Sequence, residues 1–297
     1  MATTTQGTKF PAQLVTEMFS KVKGHSSVAK MIPAKPIPFN GNTEFTFSMD
    51  KKLAVVGETS NKPAGDVTIN PVTIRPLKVI YQSRVSDEFV YAAEETKLNY
   101  LQAFSEGFAK VLASGLDEMI LHGVNPYDGT AASSTIGNNH LDYAISNYES
   151  GRNVVVYGHD NSAADENIDE ALAKVDNANG VILGKTIRSA IAALTVNGAR
   201  KYPEFAWGAT PAQLGGMALD TNSTVESNSA KARAYVGNWN ALKWGFAKEL
   251  PLEVIQYGDP DGQGDLKRTN QVVLRSEAYI GWGILDPGSF ALIEATA

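Results

Sequence analysis

The chain has 297 residues, of which 43% are hydrophobic and 9% are aromatic, so it is long enough to bury one large core or two smaller ones. It contains no cysteine, which excludes disulfide bonds and thiolate metal sites. The formal net charge is −6, and no apolar run approaches the roughly 20 residues that a membrane span needs.

The first 36 residues differ in charge from the rest of the chain. They hold five lysines and one acidic residue, a formal charge of +4, which leaves −10 for residues 37–297. Residues 11–23 have apolar side chains at helical spacing, so the sequence predicts an amphipathic helix within a basic N-terminal arm over residues 1–41. Such an arm is either a solvated tail or a segment that binds a partner. Its candidate contact residues are Leu14, Met18, Phe19, Lys21 and Lys23.

A long hairpin is predicted over residues 42–80. Apolar and polar side chains alternate along the first strand, and the return strand changes phase across Pro71, which suggests a bulge or a sheet edge. The turn-rich stretch GETSNKPAGD lies between the two strands. Because an isolated hairpin is only marginally stable, we expect this one to pack on its own body or on another copy of the chain. Its candidate contact residues are Phe45, Phe47, Lys51, Lys52, Lys62, Val67 and Ile69.

The remainder of the chain mixes helices and strands. Apolar side chains hold one helical face over residues 96–122, which predicts a helix about 40 Å long. Residues 142–258 contain shorter segments, including helices at 165–175 and 185–194 and a buried strand at 181–183. Two further strands follow, separated by a DPG turn. These elements predict an α+β fold.

Two motifs are candidate chemical sites. GVILGKT at residues 180–186 resembles a phosphate-binding loop, but three residues separate its glycines where four are needed, so a buried strand is favoured over a nucleotide site. DPDGQGD at residues 259–265 resembles the start of a calcium loop, yet Asn270 takes the place of the bidentate glutamate, which favours an acidic surface turn over a weak cation site. The four histidines form no ligand-spaced pair. We therefore expect no catalytic site, cofactor or metal, and a nucleotide-binding enzyme built on Lys185 is the remote alternative.

Five segments together resemble the major capsid proteins of tailed bacteriophages with the Hong Kong 97-like fold. They are PIPFNGNTEFTFSMD, RVSDEFVYAAEE, GFAKVLASGLDEMILHG, LPLEVIQYGDPDG and NQVVLRSEAYIGWGILDPGSFALI. The resemblance implies an N-terminal arm, an extended hairpin loop that lies across a neighbouring subunit, a peripheral domain with a long spine helix, and an axial domain. The implied ranges are 1–41 for the arm, 42–80 for the hairpin loop, 81–141 and 266–297 for the peripheral domain, and 142–265 for the axial domain.

The resemblance also implies the function. Pentamers and hexamers of the chain would form a closed icosahedral shell that encloses double-stranded DNA without sequence-specific contact, and no membrane would be involved. Many proteins of this family begin with a fused scaffolding segment that a protease later removes. Because this sequence begins directly with the arm, we expect a separate scaffolding protein and no maturation cleavage. A portal protein is a further expected partner. The shell would assemble in the host cytoplasm and become part of the virion.

Two points stay open within this resemblance. Some relatives form isopeptide cross-links from a hairpin lysine to an asparagine of a neighbour, but no asparagine or glutamate of this chain can be matched to that pattern. An encapsulin-type nanocompartment has a similar fold and encloses cargo proteins instead of DNA. We expect the contents of the shell to distinguish these two classes.

Overall fold

The computed structural model describes residues 22 and 24–296, apart from positions 50, 59, 92–93, 159–162, 228–230 and 249–251. The α-helices bounded within these residues are α1 (Ser27–Met31), α2 (Glu88–Tyr91), α3 (Glu94–His122), α4 (Leu141–Asn147), α5 (Ala164–Ala173) and α6 (Lys185–Ala193). The first seven strands are β1 (Asn42–Met49), β2 (Val67–Ile74), β3 (Leu77–Ser86), β4 (Val154–Tyr157), β5 (Gly180–Leu183), β6 (Thr195–Val196) and β7 (Ala199–Arg200). The later strands are β8 (Gln213–Leu214), β9 (Met217–Thr221), β10 (Ala232–Gly237), β11 (Leu242–Lys248), β12 (Leu252–Ile255), β13 (Gln271–Ile284) and β14 (Phe290–Ala295). The predicted arm contacts Leu14, Met18, Phe19, Lys21 and Lys23 lie outside the described residues.

Helix α3 confirms the long helix predicted over residues 96–122. It has 29 residues and is about 44 Å long at a rise of 1.5 Å per residue. Phe108 and Leu112 of its apolar face are buried in the larger of two hydrophobic clusters. The helix is followed by Gly123, whose φ of 68° suits glycine. In the described part of the chain, no helix is long and apolar enough to cross a membrane.

Strand β13 is the centre of a four-stranded antiparallel sheet. Strand β3 pairs along one edge of β13, from Ser86 opposite Gln271 to Leu77 opposite Ile280. Strands β11 and β12 pair one after the other along the opposite edge. Leu274 and Ile280 of β13 are buried in the same cluster as the face of α3, so the sheet and the long helix form one packed unit.

The second sheet has six strands in the order β4-β14-β10-β5-β9-β8. It is mixed, because β14 runs parallel to β4, and β5 runs parallel to β9. Helices α5 and α6 contribute Ile168 and Ile187 to a second hydrophobic cluster, which also contains Val181 and Leu183 of β5. The sheet therefore has its own core.

The strand pairings differ from the segment ranges predicted above. Strands β11 and β12, predicted within residues 142–265, pair with β13 and so belong to the four-stranded sheet. Strand β14, predicted to return to the same unit as β13, pairs with β4 and β10 in the six-stranded sheet. Alternating side chains identify a strand, but its partner is set by long-range packing, and this is why the predicted limits and the sheets do not coincide.

The proline-rich linker before the hairpin is held against β11. The Lys35 N–H donates to the Trp244 carbonyl at 2.9 Å, and the Ile37 N–H donates to the Phe246 carbonyl at 3.1 Å. This approach requires glycine at position 245, since a Cβ there would lie 1.6 Å from the Lys35 carbonyl oxygen. The linker thus adds backbone hydrogen bonds to the edge of the four-stranded sheet.

Asp117 is a buried carboxylate on α3 that joins three parts of the fold. Its oxygens accept hydrogen bonds of 2.6 to 3.3 Å from the Ser26 hydroxyl, the Ser27 and Val28 N–H groups, the Asn222 amide and the Thr224 hydroxyl. Three of these donors lie at the start of α1, and two lie in the loop after β9. Asp117 therefore connects the N-terminal segment, the long helix and the six-stranded sheet.

Replacing Asp117 by asparagine should produce a pH-dependent loss of stability. Burial raises the pKa of the Asp117 carboxyl to about 6, against the hydrogen bonds, which lower it. Because the unfolded value is about 3.9, the folded state binds the proton more tightly; the resulting stabilisation is complete below about pH 4 and is lost as the pH rises through about 6.

At pH 7 we expect Asp117→Asn to lower the free energy of unfolding by about 2 kcal/mol, because the new amide N–H groups face hydrogen-bond donors. The deficit relative to the natural chain should grow by about 2–3 kcal/mol between pH 7 and pH 4. Urea unfolding of the unassembled variant and natural chains at both pH values measures this deficit. A deficit that does not change with pH would contradict this assignment.

Candidate assembly interface

The hairpin of β1 and β2 pairs without a break in register, from Asn42 opposite Ile74 to Met49 opposite Val67. Side chains at alternate positions of a strand face the same side. One side of the hairpin therefore carries three cross-strand apolar pairs, which we call the apolar ladder. Its pairs are Phe45–Pro71, Phe47–Ile69 and Met49–Val67.

The apolar ladder is open to solvent. Phe47 is 64% exposed, Met49 is 74% exposed and Ile69 is 53% exposed. Full burial of such a side chain is worth about 1.5–3 kcal/mol, and contiguous exposed apolar patches mark interaction sites. The four apolar residues predicted as hairpin contacts all belong to the ladder. The ladder is therefore a candidate contact surface for another molecule.

The base of the hairpin is fixed to the body. Ile74 is buried over β13, where a Cβ at Gly283 would lie 2.8 Å from its side chain. The Glu44 carboxylate is paired with the Lys243 ammonium group of β11 at 2.7 Å. These contacts hold the direction of the hairpin while its ladder stays uncovered.

Two details of the predicted hairpin are corrected. Of the two alternatives for the phase change at Pro71, the bulge is wrong, because the register is regular past Pro71. The sheet edge is correct, because β1 and β2 form a two-stranded sheet, and the phase change marks the point where apolar side chains turn from the ladder to the body. The paired hairpin ends at Ile74, because residues 77–80 begin strand β3 of the four-stranded sheet.

The hairpin tip carries the predicted lysines. The first strand ends at Met49 and does not continue to the turn-rich stretch, so Leu53 is fully exposed. The Lys51 ammonium group donates to the Ala64 carbonyl at 2.9 Å, across the tip. Lys52 and Lys62 are exposed, and the three lysines therefore lie beyond the ladder and not within it.

The acidic turn at residues 259–265 surrounds an arginine. The Arg84 guanidinium group forms a two-pronged ion pair with Asp261, with its Nε donating at 2.8 Å, and it also donates to the Gly264 carbonyl at 2.8 Å. The hydrogen bonds from Arg84 lower the pKa of the Asp261 carboxyl to about 2. A side chain of the chain itself thus occupies the position that the calcium-loop interpretation gave to a cation. Within the described residues, no group of acidic or histidine side chains is arranged to hold a metal ion.

The GVILGKT segment forms strand β5 and the start of helix α6. The Thr186 N–H at the beginning of α6 donates to the Glu226 carboxylate at 2.9 Å. A Cβ at Gly184 would lie 2.5 Å from the same carboxylate. A carboxylate therefore fills the place where the nucleotide hypothesis needs a phosphate.

The chain is similar to a known protein family and to solved structures with this architecture. A model of the phage capsid family matches residues 7–295. A solved structure from Mycobacterium phage Ogopogo is 28% identical, with a TM-score of 0.76 and 92% of each chain covered. A structure from Gordonia phage Cozz is 23% identical, with a TM-score of 0.74 and coverage of 92% of this chain and 87% of that chain.

The capsid of a native GTA particle, computed with C5 symmetry, shares the fold at 13% identity. Its TM-score is 0.64, with 91% of this chain and 90% of that chain covered. No curated protein sequence matches the chain. The α+β capsid fold predicted from the sequence is confirmed by these structures.

Proposed function

The chain belongs to the phage capsid family, and we propose on this basis that it is the major capsid protein of a tailed phage, whose shell encloses double-stranded DNA. Membership makes it a component of the virion and a structural protein. The observation that carries the rest of the proposal is the apolar ladder, which has no cover in the single chain although its base is rigidly held.

The ladder gives the assembly step a physical basis. Closed shells are built from repeated contacts between identical chains, so each chain must expose a surface that only another copy covers. The hairpin projects such a surface away from its own core, with Phe45, Phe47, Val67 and Ile69 as contacts. We infer that the ladder lies on a neighbouring subunit within pentamers and hexamers of the shell.

The charge of the chain suits a container for DNA. Residues 37–297 carry a formal charge of −10, so the body repels packaged DNA, and the shell encloses the DNA without sequence-specific contact. The basic arm would face inward or bridge neighbouring subunits.

Scaffolding and portal proteins are further partners in this proposal, and the role of the chain is structural and not catalytic. Assembly in the host cytoplasm is also part of it.

The particle mass of the purified chain tests this function. We expect megadalton shells in light scattering and electron microscopy of the same fraction, or pentamers and hexamers that close into shells when the scaffolding protein is added. A chain that remains a monomer or dimer with and without the scaffold would overturn the proposal. Nuclease-protected DNA inside the shells would support the phage function, whereas enclosed cargo protein would instead support a nanocompartment.

A further inference from the structure

Trp207 differs from the other three tryptophans of the chain in its exposure. It is 96% exposed, whereas Trp239, Trp244 and Trp282 are each 2% exposed or less. Its backbone has φ of 59° and ψ of 25°, a left-handed conformation that bulky residues rarely adopt. Backbone strain of this kind is retained where the surrounding structure holds it, and it is concentrated at functional sites.

The segment around Trp207 is firmly attached to the body. Phe205, two residues earlier, is fully buried in the core of the six-stranded sheet. The Tyr202 hydroxyl donates to the Asp165 carboxylate at 2.9 Å, and the Lys201 ammonium group is paired with the same carboxylate. A rigid, exposed tryptophan loses little conformational freedom when it is buried by a partner.

Two arginines flank the tryptophan. The Arg200 guanidinium group lies 5.7 Å from the centre of the Trp207 ring. The Arg188 Nη1 lies next to Gly208, where a Cβ would be 3.6 Å away, and it is buried without a hydrogen-bond partner. Neither arginine has an ion pair in the part of the chain that the structure describes. The site therefore combines an apolar ring with positive charge that is not neutralised.

We propose that Trp207, flanked by Arg188 and Arg200, is an anchor that inserts into an adjacent copy of this chain when the shell forms. Tryptophan and arginine are the residues most enriched at the energetic centres of protein interfaces. The body of a second copy is acidic, with −10 over residues 37–297, so its surface complements the exposed Arg200 guanidinium group, and the partly buried Arg188 adds to the local positive charge. This inference rests on the proposed shell function and names a contact separate from the hairpin.

Acrylamide quenching of tryptophan fluorescence tests the anchor. In the unassembled chain we expect one of four tryptophans to be quenchable, and none in the Trp207→Phe variant, because the other three are buried. In DNA-free shells the quenching of the natural chain should fall to the level measured for that variant. Quenching that persists in the shells would overturn the inference. Protection only in DNA-filled shells would also overturn it and assign the site to nucleic acid.

An assembly assay adds a second readout. Trp207→Ala should raise the protein concentration needed for shell formation at least tenfold. Tyr257→Ala is the matched control, because Tyr257 is 69% exposed and has Lys267 at 5.3 Å from its ring; we expect a change of less than twofold. An unchanged threshold for Trp207→Ala would contradict the anchor. A natural chain that forms no shells would instead refute the proposed function.

Discussion

A double substitution in the apolar ladder, Phe47→Ser with Ile69→Ser, should abolish shell formation and leave the subunit folded. The two side chains form one cross-strand pair and are more than half exposed in the single chain, so their removal should change the free energy of unfolding by about 0.5 kcal/mol or less. If the ladder is buried by a neighbour, about 3 kcal/mol or more is lost at each such contact. This corresponds to roughly a hundredfold lower association constant for each contact, repeated around the shell.

The opposite side of the hairpin supplies the control. Thr46→Ala with Asn70→Ala changes a directly opposed pair on the polar side, so shells should form at the natural concentration. Sedimentation velocity separates shells from unassembled subunits, and circular dichroism reports whether the subunits are folded. Normal shells from the ladder variant, or equal loss in both variants, would exclude the ladder as the decisive surface.

Gly245→Ala should destabilise the unassembled subunit by about 2–4 kcal/mol. The new Cβ would meet the backbone of Lys35 at 1.6 Å, so the linker must move away from β11. Its two backbone hydrogen bonds to the strand are then lost, each worth about 1 kcal/mol, and Ile37 loses part of its burial. Urea unfolding measures the loss, and limited proteolysis should cleave within residues 33–41 sooner than in the natural chain.

The same substitution at Gly107 should have the opposite sign. Gly107 lies within α3, is exposed, and has no atom within 4 Å of the position of a Cβ. Alanine stabilises an exposed helix interior by about 0.5–1 kcal/mol relative to glycine. A similar response at positions 107 and 245 would mean that the linker does not lie against β11.

Local sequence patterns predicted the helices and strands, because these depend on residues that are close together in the chain. The helical spacing of apolar side chains located α3 to within two residues of its start, and alternation identified four residues of the ladder, Phe45, Phe47, Val67 and Ile69. The tip was predicted less well, because the run from Leu53 to Val56 is apolar but has no alternating partner in the return strand. Sequence alternation therefore identified the candidate surface but not the length of the paired hairpin.

Long-range contacts could not be predicted in this way. The DPG turn joins β13 to β14, yet these strands lie in different sheets, a division that depends on partners far away in the chain. Arg84 and Asp261 are 177 residues apart, so no local spacing connects them. Asp117 offered a weak signal, since it lies among the apolar residues near the end of α3. In our proposal the surface that covers the ladder belongs to a neighbouring subunit, and the sequence pattern of a single chain does not identify that surface.

The connections of Asp117 set an order of events during synthesis. The carboxylate binds Ser26 across 91 residues and Thr224 across 107 residues. A ribosome that adds 5–20 residues per second needs roughly 10–40 s to proceed from the first of these segments to the last. The start of α1 therefore emerges long before the loop after β9, the last contributor to the hydrogen bonds on Asp117, has been made. The full set of hydrogen bonds that secures the root of the N-terminal segment can therefore be completed only late in synthesis, after Thr224 has been made.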